Sequence, residues 1–163
     1  MFATFSHGFA REVSGSLANC ELTHTPRQSF DLELARRQHG GYVAALRAAG
    51  VTMTILPEAP DLPDAMFVED VAIVLDELAI LTLPGASSRR PEVAMIAPSI
   101  ASIRRSFEIR APGTLEGGDV LRLGRTLYVG RSTRTNAEGI RQLSEIVAPF
   151  GYDVQPVTVR GCL

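Results

Sequence analysis

Two segments, Phe67-Val-Glu-Asp-Val-Ala-Ile-Val74 and Gly113-Thr-Leu-Glu-Gly-Gly-Asp-Val-Leu121, set Asp70 and Asp119 49 residues apart, each at the head of a pair of short apolar runs. Carboxylates are poor strand residues, so acids repeated at the mouths of buried strands point to a site that receives a cation. Asp64, Glu69 and Asp70 crowd one such mouth and Glu116 heads the next. Strand starts that converge on an axis bring these acids together, raising each other's pKa unless a cation sits among them. No metal is expected there: His7, His24 and His39 lack ligand spacing, and no D-x-D-x-D-G loop exists. A planar guanidinium or amidinium fits better, because its forked N–H donors pair bidentately with carboxylates. Arg89 and Arg134 lie in corresponding Ser/Thr-rich loops, where they would meet an anionic group such as an α-carboxylate.

Other groups carry weaker chemistry. The loop from Ser14 to Thr25 is either a lid or a plain connection. Gly117-Gly118 is no phosphate loop, since a strand follows it, and is expected to permit a close backbone approach. Cys20, four residues before His24, and Cys162 show neither C-x-x-C spacing nor a convincing nucleophile pattern.

The elements that must position these residues repeat. Shifted by 49 residues, Asp70-Val71 falls on Asp119-Val120, Leu78–Leu81 on Leu127–Gly130, and the Asp76-Glu77 turn on Arg125-Thr126. Each segment reads strand, tight turn, strand, Arg-bearing loop, helix. The second-copy helix is expected to open at Pro91 and carry Val93, Ile96, Ile100 and Ile103 inward, with Pro98 kinking or splitting it. The third-copy helix is expected to start at Thr135 in a capping box with Glu138, to bury Ile140, Leu143, Ile146, Val147 and Phe150, and to end at Pro149 and Gly151. A first copy shows mainly its second half: a helix over 31–48 with Leu34, Tyr42, Val43 and Leu46 on one face, then a strand over 50–56. Three ββαβ copies, roughly 1–66, 67–114 and 115–163, form one α/β domain, and periods of this length imply stacked or radial units.

The composition excludes several classes. With 45% hydrophobic and 21% charged residues the chain is an ordinary globular domain, and its net charge of -2, with arginines scattered rather than in runs, argues against nucleic acid. No leader pattern opens the sequence and no stretch approaches a membrane span, so a cytoplasmic protein without membrane contact is expected. No cofactor is called for.

Phe67-Val-Glu-Asp-Val71, Pro84-Gly-Ala-Ser-Ser-Arg-Arg90, Gly113–Val120, Gly130-Arg-Ser-Thr-Arg-Thr-Asn136 and Val159-Arg-Gly-Cys-Leu163 together resemble the dimethylarginine dimethylaminohydrolase family of guanidino-group-modifying enzymes. That resemblance implies a pseudo-fivefold ββαβ propeller (pentein), with about three of five repeats in this chain. It implies hydrolysis of a methylated arginine to citrulline and a methylamine, by a Cys thiolate that attacks the guanidinium carbon with help from a His and an acid. By motif Glu116 resembles the catalytic acid, and Asp64, Glu69 and Asp70 the acids that bind the substrate guanidinium and the loop. Arg89 and Arg134 resemble the holders of the amino-acid end, and Leu22 the substrate-contacting lid leucine. The family's His and Cys lie beyond residue 163 in this pattern, so the chain by itself is expected to be cut short and inactive. Either a missing C-terminal segment or a homodimer would then cover its last copy. The resemblance departs at Leu83, where many relatives carry Arg. Two alternatives stand beside this reading: an arginine deiminase or amidinotransferase relative, and a non-catalytic guanidinium-binding domain.

Overall fold

The computed structural model describes residues 5–22, 26–29 and 31–158. The chain divides into two compact units, Phe2–Val68 and Glu69–Leu163.

In the first unit β1 (His7–Arg11) and β2 (Thr52–Leu56) pair in parallel, joined through α1 (Leu32–Ala48). The helix begins as the sequence predicts, with Asp31 as N-cap accepting a hydrogen bond from the Leu34 N–H at 3.0 Å. Its expected apolar face is largely uncovered: Val43 is buried, but Leu34 is exposed and Tyr42 is 61% exposed. Two strands span only about 10 Å, no wider than the helix itself, so they cannot cover a broad stripe. Among the described residues this copy is βαβ, without the leading antiparallel strand expected of a ββαβ repeat. Gly40 and Gly41 sit inside α1, where an added Cβ meets nothing within 4 Å. Gly40→Ala and Gly41→Ala should each stabilise by about 1 kcal/mol, seen as a raised urea midpoint at unchanged slope.

From Val68 onward two copies of the same topology follow. The first comprises α2 (Val68–Val71), β3 (Ala72–Val74), β4 (Leu78–Leu81), α3 (Arg90–Ala101) and β5 (Arg105–Glu108). The second comprises β6 (Val120–Leu123), β7 (Thr126–Arg131), α4 (Ala137–Val147) and β8 (Asp153–Thr158). In each sheet the hairpin is antiparallel and the third strand runs parallel to the middle one, giving the orders β3-β4-β5 and β6-β7-β8. The ββαβ reading therefore holds for both.

The 49-residue register does not hold. Ala72 pairs with Leu81 and Val120 with Val129, while Arg105 opposes Leu78 and Asp153 opposes Thr126, so the strands repeat every 48 residues. The turn matching Asp76-Glu77 is Gly124-Arg125, with Gly124 at φ 63°. The acids are displaced because α2 has four residues while the equivalent 3₁₀ turn, Gly117–Asp119, has three. A one-residue slip reverses every side chain. In the corrected register Ile73, Leu75, Leu78 and Ile80 correspond to Leu121, Leu123, Thr126 and Tyr128. The first four are buried in the core with Ile109, Leu115, Leu127, Val129, Ile140, Leu143 and Val147, whereas Leu121 is 66% exposed and Tyr128 38%.

The helix ends refine the sequence reading. Asn136, not Thr135, caps α4, accepting from the Gly139 N–H at 2.8 Å. Ile140, Leu143 and Val147 are buried as expected, Ile146 and Phe150 pack partly, and Gly151 stops the chain at φ 77° after one 3₁₀ turn. Pro91 opens α3, which runs unbroken through Pro98. Its buried stripe is Glu92, Ile96 and Ile100 rather than one containing Ile103, which lies past the helix end and is exposed. Among the described residues no helix is long and apolar enough to cross a membrane.

Candidate functional site

The acids do not begin strands; they stand on single helical turns just before them. Asp70 lies in α2, whose last carbonyls are held by Thr82: its N–H reaches the Val71 oxygen at 3.1 Å and its hydroxyl the Asp70 oxygen at 2.8 Å. This explains how carboxylates precede buried strands. A helical turn leaves backbone N–H groups free at its start, where negative charge is favoured.

Glu116 is fixed from both sides. The preceding residue, Leu115, donates its N–H to the Leu83 carbonyl at 2.9 Å, and Thr114 is pinned by Asn136, whose Oδ1 accepts from the Thr114 N–H at 3.1 Å. Gly139 lets α4 come this close, because an added Cβ would lie 2.1 Å from the Thr114 oxygen. The Glu116 N–H donates to Thr135 Oγ1 at 3.1 Å, and that hydroxyl in turn donates to Asp119 Oδ2 at 2.6 Å. Thr135, read from the sequence as a helix cap, is thus a fully buried link between the two acids.

Each arginine pairs with the acid of its own copy. Arg89 Nη1 donates to Asp70 Oδ2 at 2.7 Å, and Arg134 Nη2 to Asp119 Oδ1 at 3.2 Å. Arg134 Nε also lies 3.4 Å from Glu116 Oε2. Ser132 donates to Asp119 Oδ2 at 3.0 Å and accepts from the Arg134 and Thr135 N–H groups, so this bend is held in place. The two copies meet at Gly117 and Gly118. A Cβ at Gly117 would fall 2.1 Å from the Glu69 carbonyl oxygen, and one at Gly118 2.3 Å from Asp70 Oδ1. The close approach expected of these glycines is therefore made to the neighbouring acidic turn.

Four carboxylates, those of Asp70, Glu92, Glu116 and Asp119, thus gather around the two guanidiniums of Arg89 and Arg134. Glu116 bears the consequence. It is 3% exposed, and its Oε1 is buried with no hydrogen-bond partner among the described residues. Burial raises its pKa first and the Asp70 charge second, against the opposing pull of Arg89 and Arg134. An orphaned, desolvated carboxylate oxygen beside other acids calls for a hydrogen-bond donor that carries positive charge.

The remaining candidates divide between the units. Glu69 belongs to the second unit, where its carbonyl abuts Gly117. Asp64 belongs to the first, where it is buried and accepts the Glu21 N–H at 3.0 Å. Leu22, in the same unit, is exposed and lines a cavity of about 280 Å³ with Leu17, Cys20, Pro26 and Arg27. Arg27 closes that loop by donating to the Ala18 and Cys20 carbonyls. Thr23–Thr25, His24 and the motif from Val159 to Leu163, including Cys162, lie outside the described residues. Sequence reasoning missed Glu92 and the role of Thr135. The three-residue spacing from Arg89 to Glu92 across a helix start was the available signal for the first. Among the described residues no group of three or more His, Cys, Asp or Glu could hold a metal ion.

A family model described as "N,N dimethylarginine dimethylhydrolase, eukaryotic" matches residues 23–162. The N(G),N(G)-dimethylarginine dimethylaminohydrolase of Streptomyces coelicolor is 43% identical over 91% of this chain, and that of Pseudomonas aeruginosa 39% over 90%. The chain spans 58% of the length of each. A solved Pseudomonas aeruginosa structure, a cysteine-to-serine mutant complexed with citrulline, superposes with a TM-score of 0.94 at 37% identity, covering 99% of this chain and 64% of that one. The chain thus has the α/β fold of these relatives, with ββαβ repeats in its last two copies.

Proposed function

Because this chain belongs to the dimethylarginine dimethylaminohydrolase family, we propose that it forms the acid- and arginine-bearing part of an enzyme that hydrolyses Nω-methylated arginine to citrulline and a methylamine. The observation that carries this reading is the buried Glu116 Oε1, without a hydrogen-bond partner among the described residues, with its raised pKa. A substrate guanidinium brings forked donors and a positive charge to that oxygen, and its arrival favours the ionised form of Glu116. Held so, the guanidinium carbon is polarised for attack. A thiolate adds to it, the methylamine departs with a proton, and water then cleaves the amidino-thiol link to release citrulline.

Asp64, Glu69 and Asp70 are read as the wall that binds the guanidinium and the loop, Arg89 and Arg134 as the residues that hold the α-carboxylate end, and Leu22 as the lid contact. The thiolate and imidazole lie past residue 163 in the family pattern, so the test supplies them. The chain is joined to the C-terminal two-fifths of the Streptomyces coelicolor relative and assayed for citrulline and amine from Nω,Nω-dimethyl-L-arginine. Citrulline with dimethylamine is expected. Ammonia from arginine as the better reaction would assign a deiminase instead, and ligand binding without any turnover a binding domain. The exposed Leu121, Leu123 and Tyr128 face is proposed to be covered by a further repeat, from the same polypeptide or a second copy, and the location is proposed to be cytoplasmic.

A further inference from the structure

We infer that Glu92 is a positioning residue of this site, fixing the plane of the Arg89 guanidinium so that its remaining edge meets Asp70. Glu92 accepts from Arg89 Nε at 3.1 Å and Nη2 at 2.8 Å, a two-pronged pairing that settles both the rotamer and the ring-like plane of the fork. Arg89 Nη1 is thereby aimed at Asp70 Oδ2, 2.7 Å away. Both members are buried, Arg89 to 7% and Glu92 to 3% exposure.

Stability alone does not ask for this carboxylate. Glu92, Ile96 and Ile100 form the buried stripe of α3, so an acid occupies a position where the helical pattern calls for an apolar side chain. The molecule contains its own control. In the 48-residue register the equivalent of Glu92 is Ile140, which is buried in α4 with Leu143 and Val147. Asp70 already offers Arg89 a counter-ion, and a second buried carboxylate adds desolvation cost that a well-packed hydrophobe would avoid. A local rule broken at one copy only, close to the Glu116 Oε1 that has no donor among the described residues, marks a constraint imposed by the site. Burial works against the Arg89 charge, yet the hydrogen bonds it donates to Glu92 and Asp70 outweigh it and raise its pKa, so the guanidinium stays charged. What the site binds rests on the function proposed above; the role of Glu92 rests on this geometry.

The test is made on the 163-residue chain. The Arg89 Nε–Hε signal is identified in a ¹H–¹⁵N spectrum by its loss in Arg89→Lys, and affinity for Nω-methyl-L-arginine is measured by calorimetry. Glu92→Gln should speed exchange of that N–H at least tenfold and weaken binding roughly 10- to 100-fold, whereas Glu145→Gln, at an exposed partner of Arg141, changes neither. Slow exchange retained in Glu92→Gln, or fast exchange with unaltered affinity, overturns the inference. Should Glu92→Gln strand Arg89 and fail to fold, the double variant Arg89→Gln/Glu92→Leu decides: it should fold and match Arg89→Gln in affinity, and its failure to fold where Arg89→Gln folds overturns the inference. Absence of binding by the unmodified chain counts against the proposed function and leaves the exchange measurement to judge Glu92.

Discussion

Replacing Glu116 by Gln is expected to slow citrulline formation in the completed enzyme roughly 10³-fold while making the fold more stable at pH 7. The two effects have one origin. Glu116 is buried beside Asp70 with Oε1 unpartnered among the described residues, and both burial and that charge raise its pKa. A carboxyl whose pKa is higher folded than unfolded binds its proton more tightly in the folded state. The stability this contributes is present below the unfolded value and is lost as pH rises through the folded one. Gln does not ionise, so Glu116→Gln should match the parent near pH 4 and exceed it by about 1 kcal/mol near pH 8, the usual scale for relieving a destabilised active-site group. The pairing forfeited is with Arg134, at 3.4 Å and one-third exposed, and solvent screening keeps that loss small. Urea unfolding at both pH values checks the sign. A variant less stable than the parent at pH 8 would show that Glu116 is held as a satisfied ion-pair partner, and the functional reading would lose its main support.

Gly117→Ala is expected to be among the most damaging small substitutions in the chain, at about 3 kcal/mol or more. Its added carbon would sit 2.1 Å from the Glu69 carbonyl oxygen and 3.4 Å from that of Ala72. Both are backbone atoms at the junction of α2 and β3, so neither can swing aside as a side chain would. Gly118→Ala meets Asp70 Oδ1 at 2.3 Å, an atom on a movable side chain, and should cost less stability while disturbing the Asp70–Arg89 pair. Gly124→Ala has open space but a left-handed φ of 63°, and should cost only about 1 kcal/mol. Chemical denaturation of the three variants should therefore rank Gly117→Ala well above the others. An alanine at 117 that is tolerated would mean that the two acidic turns do not need their close contact.

The sequence carried the topology of the last two copies because apolar runs, turn residues and helix signals recur there in the same order. It carried the acids and arginines as residue types, and their repetition pointed to a cation. It did not carry the register. A 49-residue shift matches Asp70 with Asp119, but strand pairing answers to backbone hydrogen bonds, and α2 is one residue longer than the turn at Gly117–Asp119. Nor did periodicity show that Tyr42 is exposed, since a helical stripe records which side is apolar and not whether enough sheet lies beneath it.

Ordered motifs and hydrophobic period were thus enough to determine the ββαβ topology of the last two copies and the family, and they singled out acids and arginines as candidates for a site. Tertiary structure decided who pairs with whom. Arg89 meets Glu92 as well as Asp70, and Thr135 bridges Glu116 to Asp119 instead of capping a helix. Glu116 Oε1 is the buried side-chain acceptor left without a donor among the described residues. Such outcomes depend on distances between segments far apart in the chain and on which carboxylate loses its water, and neither quantity is written in local sequence.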